Sequence, residues 1–498
     1  MTDVATRPSD APRTMMQGAS DITARFAWPL PEPELEAYTG DFVALVDSLP
    51  TFRATIGCIV PACNEEASIG AVLDSLLAQT RLPDVIHVVV NNTADRTVEL
   101  AARYAGSHSR VLHGVEQRTE VFVHDIGRNP GKKVGALNYG YTLVEGLDYL
   151  LGVDGDTVAD SRAVEFLEAE IVSDSRIGGI SAIYSIDDRE VSGVLAPFLI
   201  AGQRTQFAAF NMQNMLRRRN MAVLGGQYSI FATKALRDAM AANHQMTPWV
   251  KDSEVEDSLL SLQIKSAGYL TKISSRARAD VGGMTTLRAL DAQQVKWNYG
   301  AIELMWPGQR GDTKGQPLHP NLRLRWWENL GMATNALSRI LFLVLLAGSL
   351  SIGAFVFSPV WLLPPVVAVL LNLRIVLSMQ HRNARDILFA LLLLPAEVYM
   401  WIRIGHFARA WTKFMSKKQV DNWAAQAKAE RGSGHGYLAP LLVVLAAVVA
   451  MVAIWLQLSP VVQSSILWVG WPVLGTITVL QTLGMFGKLV RRHHGYQV

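Results

Sequence analysis

Cysteine is scarce in this chain: of 498 residues only Cys58 and Cys63 are cysteines. They fall in an apparent strand and the loop after it, with no His or Cys nearby at zinc-ligand spacing. A zinc module is thereby excluded, and free thiols facing the cytosol are expected. A phosphate loop of the Gly-x4-Gly-Lys-Ser/Thr kind is also missing. With few apolar runs besides, that argues against a solute transporter. The opening stretch "MTDVATRPSDAPRTMMQGAS" lacks the apolar core of a signal peptide, and residues 1–50 are expected to form a flexible tail. Long apolar runs are absent until about residue 330, so a mixed soluble part precedes a membrane part. Half of all residues are hydrophobic and the net charge is +3, which is more apolar than a soluble domain usually is.

What is present begins at Arg53. "RATIGCIVP" is β-branched and apolar, and in "ASIGAVLDSLLAQT" Ile69, Val72, Leu73, Leu76 and Leu77 recur at helical spacing. A strand and an amphipathic helix are predicted. The unit repeats as strand "DVIHVVV", helix "RTVELAARYA", strand "EVFVHD", helix "VGALNYGYTLV" and strand "YLLGVD". Consecutive βα units predict a parallel sheet covered on both faces, with ligands bound beyond the carboxyl ends of its strands. The polar residues gather there, in "PACNEE", "NNTADRT", "GRNPGKK" and "DGDT".

Asp154 and Asp156 flank Gly155 where the last of these strands stops. Alternation along an extended backbone points both carboxylates the same way, and Gly155 lets another group come close. Paired hard oxygens suit Mg2+ or Mn2+, which keep few protein ligands and complete their shells with water and phosphate. The same pair can also simply end the strand. Lys132 and Lys133, at a glycine-containing turn entering a helix, make a seat for phosphate charge or a solvated basic helix start. Ser253 and Glu256 fit a capping box, which leaves Asp257 unexplained.

Together these motifs resemble the family-2 glycosyltransferases, which have a GT-A fold, and in particular their membrane-integrated synthases of the cellulose, chitin and hyaluronan type. The resemblance covers most of the chain from about Arg53. "VPACNEEASI" is similar to the first-strand motif, which implies Pro61, Ala62, Asn64 and Glu65 at the donor nucleotide. In "NNTADRT", Asn91 and Asn92 stand where an aspartate often contacts uracil, and an amide also bonds a base edge. "GKKVGALN" implies Lys133 on the donor pyrophosphate, and "DGDT" a metal motif of Asp154 and Asp156, Asp154 also touching the donor.

"WVKDSEVEDSLL" resembles the Thr-Glu-Asp motif with Val255 for threonine, which implies Asp257 as catalytic base beside Glu256. "GGQYSIF" resembles the acceptor-side loop, giving Gly226, Gln227 and Tyr228 as acceptor contacts together with Trp249. "QQVKW" is similar to the Gln-x-x-Arg-Trp motif of processive synthases and implies donor-side roles for Gln293, Lys296 and Trp297. Lys296 replaces arginine there, and a lysine cannot make the same bidentate contact.

The resemblance implies an α/β GT-A domain over 51–315, an interfacial helix over 316–335 and a transmembrane region over 336–498. The implied reaction is inverting, metal-dependent transfer from a nucleotide-diphosphate sugar, UDP-linked, to a glycan, lipid-linked or protein acceptor, making a β-linked polysaccharide. Hexosyl and N-acetylhexosaminyl transfer both remain open. A nucleic-acid polymer is not an expected partner.

Candidate spans are Ile340–Phe357, Val360–Leu377, Leu438–Leu458 and Ile466–Phe486. The positive-inside rule places the basic loops at 378–386 and 405–437, and the tail with Lys488, Arg491 and Arg492, in the cytosol. The catalytic domain must share that side to reach nucleotide sugars, which makes this a multi-pass cell-membrane protein. Four crossings satisfy these constraints, so 387–404, with Pro395 and Glu397, is expected to lie in the interface or re-enter. Arg374 is expected to snorkel. Two other readings stay open: a single-sugar transferase acting on a lipid carrier or protein, and a non-catalytic nucleotide-binding membrane protein.

Overall fold

The structure is a computed structural model that describes residues 53–112, 114–188, 191–416, 429, 438–492 and 495–498; the tail expected over 1–50 lies outside them. The apolar run near Arg53 becomes β1 (Ile56–Ala62), buried along its whole length. Helix α1 (Ile69–Leu77) follows and buries Ile69, Val72, Leu73 and Leu76. Strand β2 (Val85–Val90), helix α2 (Thr97–Ala102), strands β3 (Gly106–Leu112) and β4 (Val115–Asp125), helix α3 (Lys132–Val144) and strand β5 (Tyr149–Val153) complete the first half.

After β5 come β6 (Thr157–Ala159), α4 (Ala163–Val172), β7 (Ile177–Ile186), α5 (Leu195–Leu216), β8 (Tyr228–Ala232), α6 (Thr233–Ala242), α7 (Glu256–Ser266), β9 (Leu270–Val281) and α8 (Leu287–Met305). The strands form one nine-stranded sheet in the order β3-β4-β2-β1-β5-β8-β7-β9-β6. The expectation of an all-parallel sheet needs correction. β1 pairs in parallel with β2 and β5, and β2 with β4, but β8 enters between β5 and β7 and runs antiparallel to both. Strand β3 adds an antiparallel edge to β4. The carboxyl ends of β1, β2, β4 and β5 still converge on one rim, which is where the polar loops lie.

Helix α9 (Arg323–Ser351) runs without a break, so no boundary separates the expected interfacial helix from the first span. α10 (Leu363–Leu377), α11 (Ala384–Leu391), α12 (Leu393–Met415), α13 (Leu438–Gln457) and α14 (Pro460–Val490) follow. Among the described residues, Pro320–Ser351, Pro359–Leu377 and Pro460–Val490 are long and apolar enough to cross a membrane, and the described part of α13, Leu445–Gln457, is a shorter apolar helix. α11 and α12 meet at 86°. Pro395 explains the break: it lacks an N–H, and its ring would collide with the carbonyl of Leu391 if the helix continued.

Polar contacts join the helices to one another and to the sheet domain. Glu397 makes a two-pronged ion pair with Arg339 of α9, at 2.8 and 2.9 Å. Arg204 of α5 binds both oxygens of Asp386 at 3.1 Å, and Asp291 of α8 meets Arg409 of α12 at 2.6 Å. Arg374 does not simply snorkel. It donates to the Lys488 and Arg491 carbonyls at 2.6 and 2.5 Å, capping the end of α14. From Ala54 onward the described residues form one unit.

Candidate active site

Strand β5 ends at Val153, and the chain turns at once: the Asp154 N–H donates to the Gln227 carbonyl at 3.0 Å and the Thr157 N–H to the Asp154 carbonyl at 3.1 Å. Gly155 permits the turn to lie against the β1 loop. A Cβ there would stand 2.9 Å from Glu65 Cγ and 3.3 Å from the Pro61 carbonyl oxygen. Ser68 Oγ links the two loops, 2.7 Å from Glu65 Oε2 and 2.8 Å from the Gly155 carbonyl. Asp156 accepts from the Thr157 hydroxyl at 3.3 Å and lies against Gly282, where a Cβ would be 3.2 Å from its Oδ2.

Lys133, in the first turn of α3, extends its Nζ to both Asp154 oxygens, at 2.6 and 2.9 Å. Across from it stands Asp257, in the first turn of α7. Its Oδ2 accepts from the Gly226 N–H at 2.8 Å. Gly226 is the wedge between the two: a Cβ on it would lie 2.9 Å from Asp257 Oδ2 and 2.9 Å from Lys133 Nζ. Only a residue without a side chain lets the loop before β8 pass between the Asp257 carboxylate and the Lys133 ammonium. The loop is itself pinned by the buried Tyr184 hydroxyl, 3.1 Å from the carbonyls of both Gly225 and Tyr228.

Burial sets the electrostatics. It pushes the Asp257 carboxyl up, aided by the charge of Glu256, to about 7. Burial, then Asp154, raises Asp156 to about 6. Burial also raises Glu256, against the pull of Lys133 and Lys296. For Lys133, burial alone would favour the neutral amine, but Asp154, Asp257 and Glu256 outweigh it and hold the ammonium charged. The site therefore gathers Asp154, Asp156, Glu256 and Asp257 around Lys133, a surplus of negative charge suited to a cation.

The structure brings Glu65, Lys133, Asp154, Asp156, Gly226, Gln227, Glu256 and Asp257 to this rim, and Lys296, buried on α8, lies close enough to Glu256 to act on its charge. Trp297 tilts against Phe207 with ring centres 6.4 Å apart, and Gln293 is half-buried on the same helix. Asn91 and Asn92 are engaged with the loop before α3: the Asn91 amide donates to the Lys132 carbonyl at 2.7 Å, and Asn92 exchanges two bonds with the Asn129 backbone. Asn64, at φ 59°, braces the loop after β2 through the Thr93 hydroxyl and the Ala94 N–H, both at 3.0 Å. Ala62 is buried at the end of β1, where its carbonyl accepts from the Asn91 N–H.

Two expected acceptor contacts are corrected. Tyr228 is wholly buried in the core, and Trp249 is 2% exposed, edge-on to Phe231; the inward face of β8 and the packing against α3 leave neither ring on a surface. The capping box is not formed either, since Val255 is the residue before α7 and the Ser253 hydroxyl accepts from the Val255 N–H. Sequence reasoning missed Tyr184, and also Gln206, which connects Gln294 of α8 at 3.3 Å with Tyr399 of α12 at 3.0 Å. A tyrosine inside the apolar strand "GISAIYSI" was the available signal, because a buried hydroxyl needs partners.

Among proteins of known kind, the chain resembles the poly-beta-1,6-N-acetyl-D-glucosamine synthase of Staphylococcus aureus (strain COL), 23% identical over 264 residues, which are 52% of this chain and 57% of that one. The chain thus spans somewhat over half the length of that relative. A solved mannosyltransferase from Pyrobaculum calidifontis, in complex with GDP-Man and Mn2+, is 15% identical, with 80% of this chain and 98% of that one covered and a TM-score of 0.43. The glucosyl-3-phosphoglycerate synthase of Mycobacterium tuberculosis, solved with Mn2+, UDP-glucose and phosphoglyceric acid, is 17% identical, covering 54% and 81% of the two chains with a TM-score of 0.31. The profile of glycosyl transferase family 2 matches residues 58–239, and that of glycosyl transferase family group 2 matches 149–402. With the second profile alone spanning over half of its length, the chain belongs to glycosyl transferase family group 2.

Proposed function

We propose that this protein is a membrane-bound, metal-dependent, inverting glycosyltransferase that draws on a nucleotide-diphosphate sugar and extends a β-linked polysaccharide. One observation carries the reading: Gly226 holds Asp257 and Lys133 on either side of a backbone without a side chain, with Asp154 directly on Lys133. A general base and the groups that receive diphosphate charge are thereby set side by side.

Lys133 offsets negative charge on the departing diphosphate, and its ammonium stays protonated because the surrounding carboxylates hold it so. Asp257 takes the proton from the acceptor hydroxyl as that oxygen attacks the anomeric carbon from the side opposite the diphosphate. Attack from behind inverts the centre, so an α-linked donor gives a β-linked product. The Gly226 N–H keeps one Asp257 oxygen oriented, and Glu256 beside it raises the basicity of that carboxylate.

The residues fit a hard divalent cation. Asp154 and Asp156 offer oxygens at one rim, where burial and the neighbouring Asp154 charge make an ionised Asp156 costly until a cation joins it. Mg2+ or Mn2+ would be held by these two carboxylates with positions left for phosphate and water. When bound, such a cation supplies electrophilic stabilisation of the leaving diphosphate.

The relative's printed name supports an N-acetylhexosamine donor and a polymeric product. Basic residues at the ends of α10 and α14 support a cytosolic placement of the sheet domain and the C-terminal residues. Incubating the purified chain with a panel of nucleotide sugars, with Mg2+, Mn2+ or a chelator, tests all of this. Released nucleotide and product mass should show metal-dependent synthesis of a long glycan from one preferred donor. Products carrying one added sugar would replace polymerisation by single transfer, and no turnover with any donor would refute the reading.

A further inference from the structure

The foot of α9 carries more positive charge than its neighbours neutralise. Between α7 and the start of α9 lies a small cleft, open to the surface, lined by Ala222, Ser258, Lys265, Asn321 and Arg325. Arg325 has Glu328 at 3.0 Å. Lys265 has no hydrogen-bond or ion-pair partner among the described residues, and burial, with Arg325 opposite, pushes its ammonium down to about 8.

The surplus extends beyond the cleft. Arg217, at the end of α5, senses both Glu328 and Arg491, and Arg491 donates to the Leu216 carbonyl at 2.6 Å. Glu328 is thus a carboxylate shared by Arg325 and Arg217, and it is not among the charges acting on Lys265. A half-buried ammonium left unpaired beside a guanidinium is costly unless an anion joins them.

The position selects the anion. Arg325 is followed directly by Trp326 and Trp327, and Trp327 is 59% exposed. Tryptophans of this kind settle at headgroup depth, at the start of a helix that turns apolar within a few turns. We propose that this cleft binds the phosphate of an anionic phospholipid headgroup, with Lys265 and Arg325 as its cationic contacts and Ser258 and Asn321 as neutral donors. Lys265 stands in the last turn of the helix whose first turn carries Asp257, so an occupied cleft steadies that helix from its far end. The inference needs α9 to enter a bilayer but does not depend on which reaction the rim performs.

The test uses the full chain in nanodiscs of phosphatidylcholine with a minority of phosphatidylglycerol, and reads retained lipid by native mass spectrometry. The native chain should retain phosphatidylglycerol selectively. Lys265→Met and Arg325→Gln should each lower that retention about tenfold, the scale of one charge-assisted contact, and Lys265→Arg should preserve it. Arg323→Gln, an exposed cation of the same helix foot, should leave it nearly unchanged. Equal loss in Arg323→Gln would mean diffuse attraction and overturn the site, as would native retention in both Lys265→Met and Arg325→Gln. In pure phosphatidylcholine discs, binding of inorganic phosphate that depends on Lys265, with no preference for phosphatidylglycerol, would reassign the cleft to a soluble anion. Should Lys265→Met fail to insert, the retention measured for Arg325→Gln decides between these outcomes.

Discussion

The sheet domain and the helices after Leu322 bury their residues by different means. In the first, strands are enclosed on both faces and glycines bring segments to backbone distance: Gly57 lies under Val144, Gly140 under Ile59, and Gly226 between Lys133 and Asp257. In the second, large apolar side chains face outward, with Leu394 75% and Trp468 80% exposed, and Leu345, Leu467 and Leu474 form only a small inner cluster. A surface suited to lipid gains little by turning inward, since lipid tails are as apolar as leucine. The two regions are joined by apolar clusters, Leu199 and Leu290 with Phe389 and Tyr399, and Val295, Ile302 and Met305 with Ala410, and also by directional polar contacts such as Arg204 with Asp386 and Asp291 with Arg409. Close steric fit shapes the rim, and ion pairs add direction to an apolar attachment.

That contrast can be broken at either end. The largest effect is expected at the rim: Asp257→Asn should cost about 10²–10⁴-fold in rate while the melting temperature hardly moves, which parallel rate and unfolding measurements would show. At the joint, Asp386→Asn should cost up to about 3–5 kcal/mol by removing the bidentate partner of buried Arg204, which keeps only Asp188 at 3.7 Å. Denaturant unfolding checks this, and replacing both partners by apolar residues should recover most of the loss.

Smaller changes sharpen the comparison. Gly226→Ala should lower the rate about 10²-fold by displacing reacting groups, with stability nearly kept, because the atoms it meets are side-chain ends. Circular dichroism beside kinetics separates the two effects. The smallest expected effect is on pH dependence. Asp257 must be ionised to accept a proton, and its carboxyl stands at about 7, so kcat/KM should climb with pH through that value and then level. Because the Glu256 charge helps hold it up, Glu256→Gln should move the midpoint down.

Strands β1, β2 and β5 and helices α1 and α3 were legible in the sequence because their apolar runs and periodicities are long and uninterrupted. Strand β3, "GSHSRVL", was not, since it is an exposed polar edge without a hydrophobic signal. The entry of β8 between β5 and β7 was also illegible: it is a long-range pairing that no local pattern encodes. Asp154, Asp156 and Lys133 could be read from loop positions at strand ends, whereas the role of Asp257, in the first turn of α7, came only from the motif resemblance. The misplacement of Tyr228 and Trp249 has a simple cause, since a motif fixes sequence neighbourhood and not which way a ring points. The break at Leu392 was signalled by Pro395, whereas the fusion of 323–351 into one helix carried no signal, because nothing in that stretch except Gly331 and Gly348 opposes a helix.

The most direct measurement is a paired experiment on the native chain and Asp257→Asn, following binding of the preferred nucleotide sugar and its single-turnover transfer in the same samples with Mn2+. Expected is unchanged donor binding in both, with transfer lost in Asp257→Asn. Transfer at the native rate in Asp257→Asn would contradict the assignment of the base, and with it the central role given to the Gly226 wedge.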